Sequence, residues 1–123
     1  MSRLGSSVHS MILKILIRGE RMKGYLRVRV YTSRKMFPIK NARVEISRYD
    51  GKSQSVLVNV LTDENGNTGD IELPVEDEKI PVMYSVRTQA DNFIEDVSDG
   101  ISVYNGIVSI KSVELVLDGI VEG

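Results

Sequence analysis

Asp63, Asn65 and Asn67 stand at alternate positions in "LTDENGNTGDIELP" (61–74), with Gly66 and Gly69 among them. Oxygen-bearing side chains at positions 1, 3 and 5 are how a calcium loop begins, but such a loop also needs glycine at position 6 and a bidentate glutamate at position 12. Counting from Asp63, those two places hold Thr68 and Pro74. The calcium pattern therefore fails where it is most demanding. Glu72 offers no substitute ligand, because alternation between Ile71 and Leu73 turns it to solvent. Asp63, Asn65 and Asn67 remain weak metal candidates, and no cofactor is expected. A tight hairpin fits better, with Asp63 capping the turn and Gly66 supplying a positive φ.

Other catalytic chemistry is thinly supplied. The sequence has no cysteine, which removes disulfides, thiolate metal sites and a thiol nucleophile together. Its one histidine, His9, lies near the amino end, while zinc hydrolysis and Ser-His-Asp chemistry both want a well-placed imidazole. Carboxylates are common, but they gather in turn-like stretches (Asp63–Glu64, Glu76–Asp77–Glu78, Asp91, Asp99) as a solvated surface would have them. A carboxylate hydrolase is the least favoured reading, and the expectation is that the chain is not an enzyme.

Charge is polarised along the chain. Residues 1–52 hold thirteen Lys/Arg against three acids, and residues 53–123 hold three against fourteen, for a net charge of −1. A basic half suits nucleic acid or an anionic polymer. Interleaved strands from the two halves would instead let the charges meet across a sheet. The second reading is preferred, because Arg27, Arg29 and Arg43 alternate with apolar residues as solvent-facing strand positions do. No nucleic acid is expected. Tyr25 and Tyr31 share the Arg27/Arg29 face, so Tyr25, Arg27, Arg29, Tyr31 and Arg43 are the candidate binding residues. A wall glycan or another polyanion is the ligand class they would suit.

The elements that must position these residues are strands. "YLRVRVY" (25–31) alternates, with Leu26, Val28 and Val30 on one face. "ARVEIS" (42–47) repeats this with Val44 and Ile46. "SVLVNVLT" (55–62) is apolar on both faces, and Asn59 suggests that Val56, Val58 and Val60 point inward. "GDIELP" (69–74), "MYSVRTQA" (83–90), "DGISVYNG" (99–106) and "SVELVL" (112–117) complete the set, the last with Val113, Leu115 and Leu117 inward. Tyr84 and Phe93 read as core. Acidic "PVEDEKIP" (74–81) reads as a solvated loop. Seven short strands separated by Gly, Pro, Asn and Asp predict an all-β, antiparallel Greek-key sandwich spanning residues 22–119 as one domain.

Residues 1–21 form a leader or extension of a different kind. "MILKILI" (11–17) is a short apolar run with Lys14 in its middle. It is too short and too charged for a signal-peptide core, and a membrane span needs about twenty apolar residues. Helix and strand both suit it, and Met22 is a second candidate start of translation. A cytoplasmic location is the expectation from these residues.

The order of these signals resembles carboxypeptidase regulatory-like domains. "GYLRVRVYTSRKMFPIKNARVEI" is similar to their opening strand, loop, Pro-Ile and second strand. "LTDENGNTGDIELP" resembles their Thr-Asp-x-x-Gly turn and the strand ending in Leu-Pro. "YSVRTQADNF" resembles a Tyr-x-Val-x-x-x-Ala-x-Gly-Phe strand and turn, with Asn92 in place of Gly, a residue that also tolerates the left-handed conformation. "ISVYNGIVSIKSVEL" resembles a closing pair joined by Gly106. The likeness runs over residues 24–117 and is nearest to the variant at the start of clostridial spore cortex-lytic enzymes.

The resemblance implies a seven-stranded transthyretin-like (prealbumin-like) sandwich without catalysis of its own, and a spore or cell-wall association. Transthyretin-like hydrolases of the purine pathway use histidines that residues 22–119 do not contain. Pilin and adhesin sandwiches form an internal isopeptide bond from an early Lys, a late Asn or Asp and a buried acid. Lys23 is the available amine, but "VELVL" has no Asn, Glu114 faces outward and Arg87–Gln89 holds no acid, so no such bond is expected. The function read from the sequence is an accessory module that binds a protein partner, or itself, through a sheet edge or face.

Overall fold

The computed structural model describes residues 22–33, 36–49 and 52–118. The leader, with "MILKILI" and His9, lies outside the described residues. Eight strands follow in order: β1 (Lys23–Thr32), β2 (Phe37–Pro38), β3 (Arg43–Tyr49), β4 (Gln54–Leu61), β5 (Asn67–Pro74), β6 (Val82–Gln89), β7 (Asp96–Val103) and β8 (Val108–Glu114). All seven expected strands are present. The eighth, β2, is a two-residue pairing of Phe37 and Pro38 with Thr32 and Tyr31, too short to leave a pattern in the sequence.

Two sheets face each other. In the first, β1 is central, with β5 antiparallel on one side and β8 parallel on the other. The second runs β4-β3-β6-β7, antiparallel throughout. The parallel β1–β8 pair is the one departure from antiparallel pairing among the named strands. Alternation drives the association: β1 turns Leu26, Val28 and Val30 inward, β3 turns Val44 and Ile46, and β6 turns Tyr84 and Val86, all buried. Ile71, Leu73, Val103, Val113 and Leu115 close the same core, and Phe93 packs against it. Burying such side chains stabilises the fold by about 1.5–3 kcal/mol each before chain entropy is set against it.

Two glycines are fixed by space. A Cβ on Gly24 would run into the Tyr104 carbonyl and the Val103 side chain, so β1 can lie this close to the end of β7 only without one. Gly66, at φ 78°, sits beneath the Val30 carbonyl in the β4–β5 turn. Asn92 adopts φ 73°, the left-handed conformation expected of it.

Three sequence expectations need correction. Val56 points outward, not to the core: the β3–β4 register slips between Ile46–Val58 and Ser47–Val56, so Leu57 is an inserted bulge residue and the phase of β4 reverses beyond it. Leu117 is half exposed, because the chain leaves the first sheet after Leu115. It then pairs with the β6–β7 loop through Ile94 N–H to the Val116 carbonyl and Asp118 N–H to the Asn92 carbonyl. β7 and β8 each begin earlier than their apolar residues suggest. β7 is an edge strand, where Asp96 and Asp99 can stay wet, and β8 takes its start from the register with Tyr25.

The opposite charges of the two halves do meet. Lys23 lies 3.5 Å from Glu72, Arg27 2.7 Å from Asp70 and Arg48 2.8 Å from Glu76. Lys23 therefore faces outward to a carboxylate on β5, away from the core position that an isopeptide amine would occupy.

Candidate functional site

The outer face of the first sheet carries four of the five expected binding residues. Tyr25, Arg27, Arg29 and Tyr31 project from it in a row, flanked in register by Glu72, Asp70 and Asn67 on β5 and by Val108, Ile110, Ser112 and Glu114 on β8. Arg43 is not among them. It opens β3, opposite Leu61 and Gln89, on the outer face of the other sheet. The patch is also less basic than its residues suggest, because the Arg27 guanidinium donates to Asp70, which holds its pKa above the ordinary value. Arg29 differs: its Nε is buried without a hydrogen-bond partner, as is Oδ1 of neighbouring Asn67.

The Asp63 loop is a turn held by its own side chain. Asp63 Oδ1 accepts from Asn65 N–H at 2.8 Å and Asn67 N–H at 3.0 Å. The backbone closes the loop with Gly66 N–H to the Asp63 carbonyl and Asp63 N–H to the Asn67 carbonyl. The oxygen that begins the calcium-like pattern is thus already engaged in satisfying backbone donors.

At one end of the sandwich Arg48 and Glu76 form a two-pronged pair, Nη1 to Oε2 and Nη2 to Oε1, both 2.8 Å. Arg48 holds the Glu76 carboxyl below its usual range, and Glu76 raises Arg48 in turn. Beside them the buried Tyr84 hydroxyl donates to the Pro74 carbonyl at 2.6 Å, and burial pushes its pKa up. The pair ties β3 to the acidic 74–81 loop.

Besides the two-residue β2, four strands bound the sheets among the described residues, and they are guarded unequally. A long apolar edge is a template for pairing with another chain unless charges, proline or bulges blunt it. β5 carries Asp70, Glu72, Pro74 and a bulge at Thr68–Gly69. β7 carries Asp96, Asp99 and a bulge at Asp99–Gly100. β8 carries Lys111 and Glu114. β4, "QSVLVNVL", carries no charge and no proline over eight residues, and its bulge at Leu57 brings no glycine with it. Val56, Leu57 and Leu61 on it are 54%, 45% and 58% exposed. Beside Val56 the outer face dips into a shallow cleft of about 460 Å³ over Ser47 and Ser85, with Gln54, Glu45, Arg87 and Asp99 around it.

The β4 edge was not among the residues singled out from the sequence. The signal was present in its uncharged apolar run, but assigning Val56 inward concealed it. Among the described residues no helix is long and apolar enough to cross a membrane.

No family model and no curated protein matches the sequence. Solved structures do share its fold. The Bacillus anthracis TIE protein superposes on 76% of this chain at TM-score 0.54 and 19% identity, using 16% of its own length. A minor pilin of Streptococcus agalactiae covers 84% at TM-score 0.59 and 10% identity, over 48% of that chain. Klebsiella pneumoniae 5-hydroxyisourate hydrolase covers 73% at TM-score 0.50 and 15% identity, over 89% of that chain. This chain therefore spans a sixth to a half of the first two. At such identities the likeness is one of fold: an all-β, transthyretin-like sandwich.

Proposed function

We propose that the chain is a non-catalytic interaction module that takes a protein partner as an added strand along β4. The observation that carries this reading is the contrast among the edges. β5, β7 and β8 hold charges, whereas β4, though bulged at Leu57, leaves an uncharged apolar edge open to solvent. Strand addition draws affinity from main-chain hydrogen bonds and specificity from the side chains beside them. Capture of binding proteins from the native organism by wild type and by a Val56→Lys/Leu61→Lys variant tests this. The variant should keep the fold, judged by circular dichroism, and lose the partner. A partner captured equally by both would sink the reading.

The setting we propose is a Gram-positive spore or cell wall. Support comes from the motif resemblance to spore cortex-lytic enzymes and from the fold shared with a minor pilin. Cell fractionation with an antibody to the protein checks it, and a purely cytosolic signal would count against it.

A wall polymer on the first sheet is the second reading, favoured by the unpartnered Nε of Arg29 beside Tyr25 and Tyr31. Retention on peptidoglycan or heparin that weakens with salt, and is lost in Arg29→Ala, would support it. Salt-independent retention would not.

A further inference from the structure

The partner that β4 fits is not yet specified by an open edge alone, and its facing pattern narrows the choice. In an unbroken eight-residue strand, alternation points the two ends to opposite faces. A full-length antiparallel match between such a strand and its own copy would set inward residues against outward ones. β4 escapes this through its bulge. Gln54 and Val56 share the outer face with Tyr49 and Ser47, and Asn59 and Leu61 share it with Glu45 and Arg43. Ser55, Val58 and Val60 lie on the inner side, opposite Arg48, Ile46 and Val44. Leu57 absorbs the one-residue slip. Read from either end, the strand therefore runs out, in, out, with the break in the middle.

We propose that the occupant of the β4 edge is a second copy of this chain, paired antiparallel about a two-fold axis between Leu57 and Val58. This rests on the strand-addition reading above and names its partner. Gln54 of one copy then lies opposite Leu61 of the other, Ser55 opposite Val60, Val56 opposite Asn59 and Leu57 opposite Val58. Outward residues meet outward residues, inward meet inward, and the two four-stranded sheets join into one of eight.

Charge favours the same occupant. A two-fold contact brings each patch against itself, so carboxylates on an edge meet carboxylates. Asp70 and Glu72 burden β5 in this way, and Asp96 and Asp99 burden β7. β4 has no charge to oppose. The contact also covers Val56, Leu57 and Leu61, the three most exposed apolar side chains of β4.

Analytical ultracentrifugation of the full chain tests the proposal. Wild type should sediment at twice 13.8 kDa. Val56→Lys/Asn59→Lys places lysine opposite lysine on both sides of the two-fold axis, near the middle of the contact, and its self-dissociation constant should rise about a hundredfold or more. Val56→Glu/Asn59→Glu should do the same alone. Mixing the two variants should restore the double mass, because the register sets each lysine against a glutamate. Both side chains are on the surface, and circular dichroism confirms that the variants fold.

A wild type that stays monomeric to about 1 mM overturns the proposal, as does a lysine variant that remains dimeric. Failure of the mixture to re-form dimers overturns this register. If wild type is monomeric but the lysine pair abolishes capture of a different protein, self-pairing fails while the strand-addition reading stands. If wild type neither self-associates nor captures a partner through β4, both fail.

Discussion

Thr62 ties the loop ahead of β3 to the end of β4, and removing one oxygen from it should be costly. Its hydroxyl donates to the Ile39 carbonyl at 2.6 Å and accepts from Ala42 N–H at 2.9 Å. Its backbone N–H donates to the Ala42 carbonyl, and its carbonyl accepts from Asn41 N–H, each at 3.0 Å. The residue is 3% exposed. Thr62→Val keeps the shape and strips the Ala42 N–H and the Ile39 carbonyl of this partner. A buried polar group left unsatisfied costs about 1–3 kcal/mol, so the pair should cost about 2–4 kcal/mol, allowing for neighbours that do not add. In a domain near 100 residues, each kcal/mol lowers Tm by about 4–8 °C, which places the variant roughly 8–32 °C below wild type. Urea unfolding should show a lower midpoint with an unchanged m-value. Thr62→Ser retains the hydroxyl and loses one methyl, about 1 kcal/mol, so serine must be the milder change. A valine variant that loses under about 0.5 kcal/mol, or a serine variant worse than valine, would refute the reasoning.

Other perturbations have equally definite outcomes. Gly24→Ala should destabilise by about 1–3 kcal/mol, read as a lower melting temperature, because the new methyl meets the Tyr104 carbonyl and Val103; no change would mean that β1 and the end of β7 are not in close contact. Asp63→Ala should cost about 1 kcal/mol, and excess calcium should not raise the melting temperature of wild type. A calcium-dependent rise would restore the metal reading of Asp63, Asn65 and Asn67. Glu76 has a depressed folded pKa, so its pairing with Arg48 stabilises above the unfolded carboxyl pKa, near 4.3, and that contribution is lost as pH falls through the lower folded value. The side chain is 67% exposed, which limits the effect to about 0.2–1 kcal/mol. Glu76→Gln should flatten the acid limb of stability by that amount, and an unchanged acid limb would show the pair to be energetically silent.

What the sequence disclosed follows a physical line. β1, β3 and β6 sit inside their sheets with one face wet and one dry, so alternation in "LRVRV", "RVEI" and "YSVRT" named their inward residues correctly. The Asp63 turn was legible because its chemistry is local: the cap, the glycine and the donors they serve lie within four residues. β4 was harder. An apolar run on both faces carries no phase, and the slip at Leu57 depends on what Ile46 and Ser47 demand from the neighbouring strand. The starts of β7 and β8 are set by partners outside their own apolar runs, Thr88 on the preceding strand for Asp96 and Tyr25, distant in sequence, for Val108. The candidate patch was half legible for the same reason. Tyr25, Arg27, Arg29 and Tyr31 share one strand and one face, but nothing local tells that Arg43 belongs to the other sheet or that Asp70 occupies Arg27.

The parallel pairing of β1 with β8 determines how the domain would bear tension. Parallel neighbours place the amino end of β1 and the carboxyl end of β8 at opposite ends of the sheet. A pull between those points drives the two strands past one another lengthwise. Seven registered positions, Tyr25–Val108 through Tyr31–Glu114, then resist sliding together instead of opening one after another. Forced unfolding is set by the height of a barrier, not by equilibrium stability. Strung between two anchors, this sandwich would behave as a rivet, holding its length until the whole seam shears.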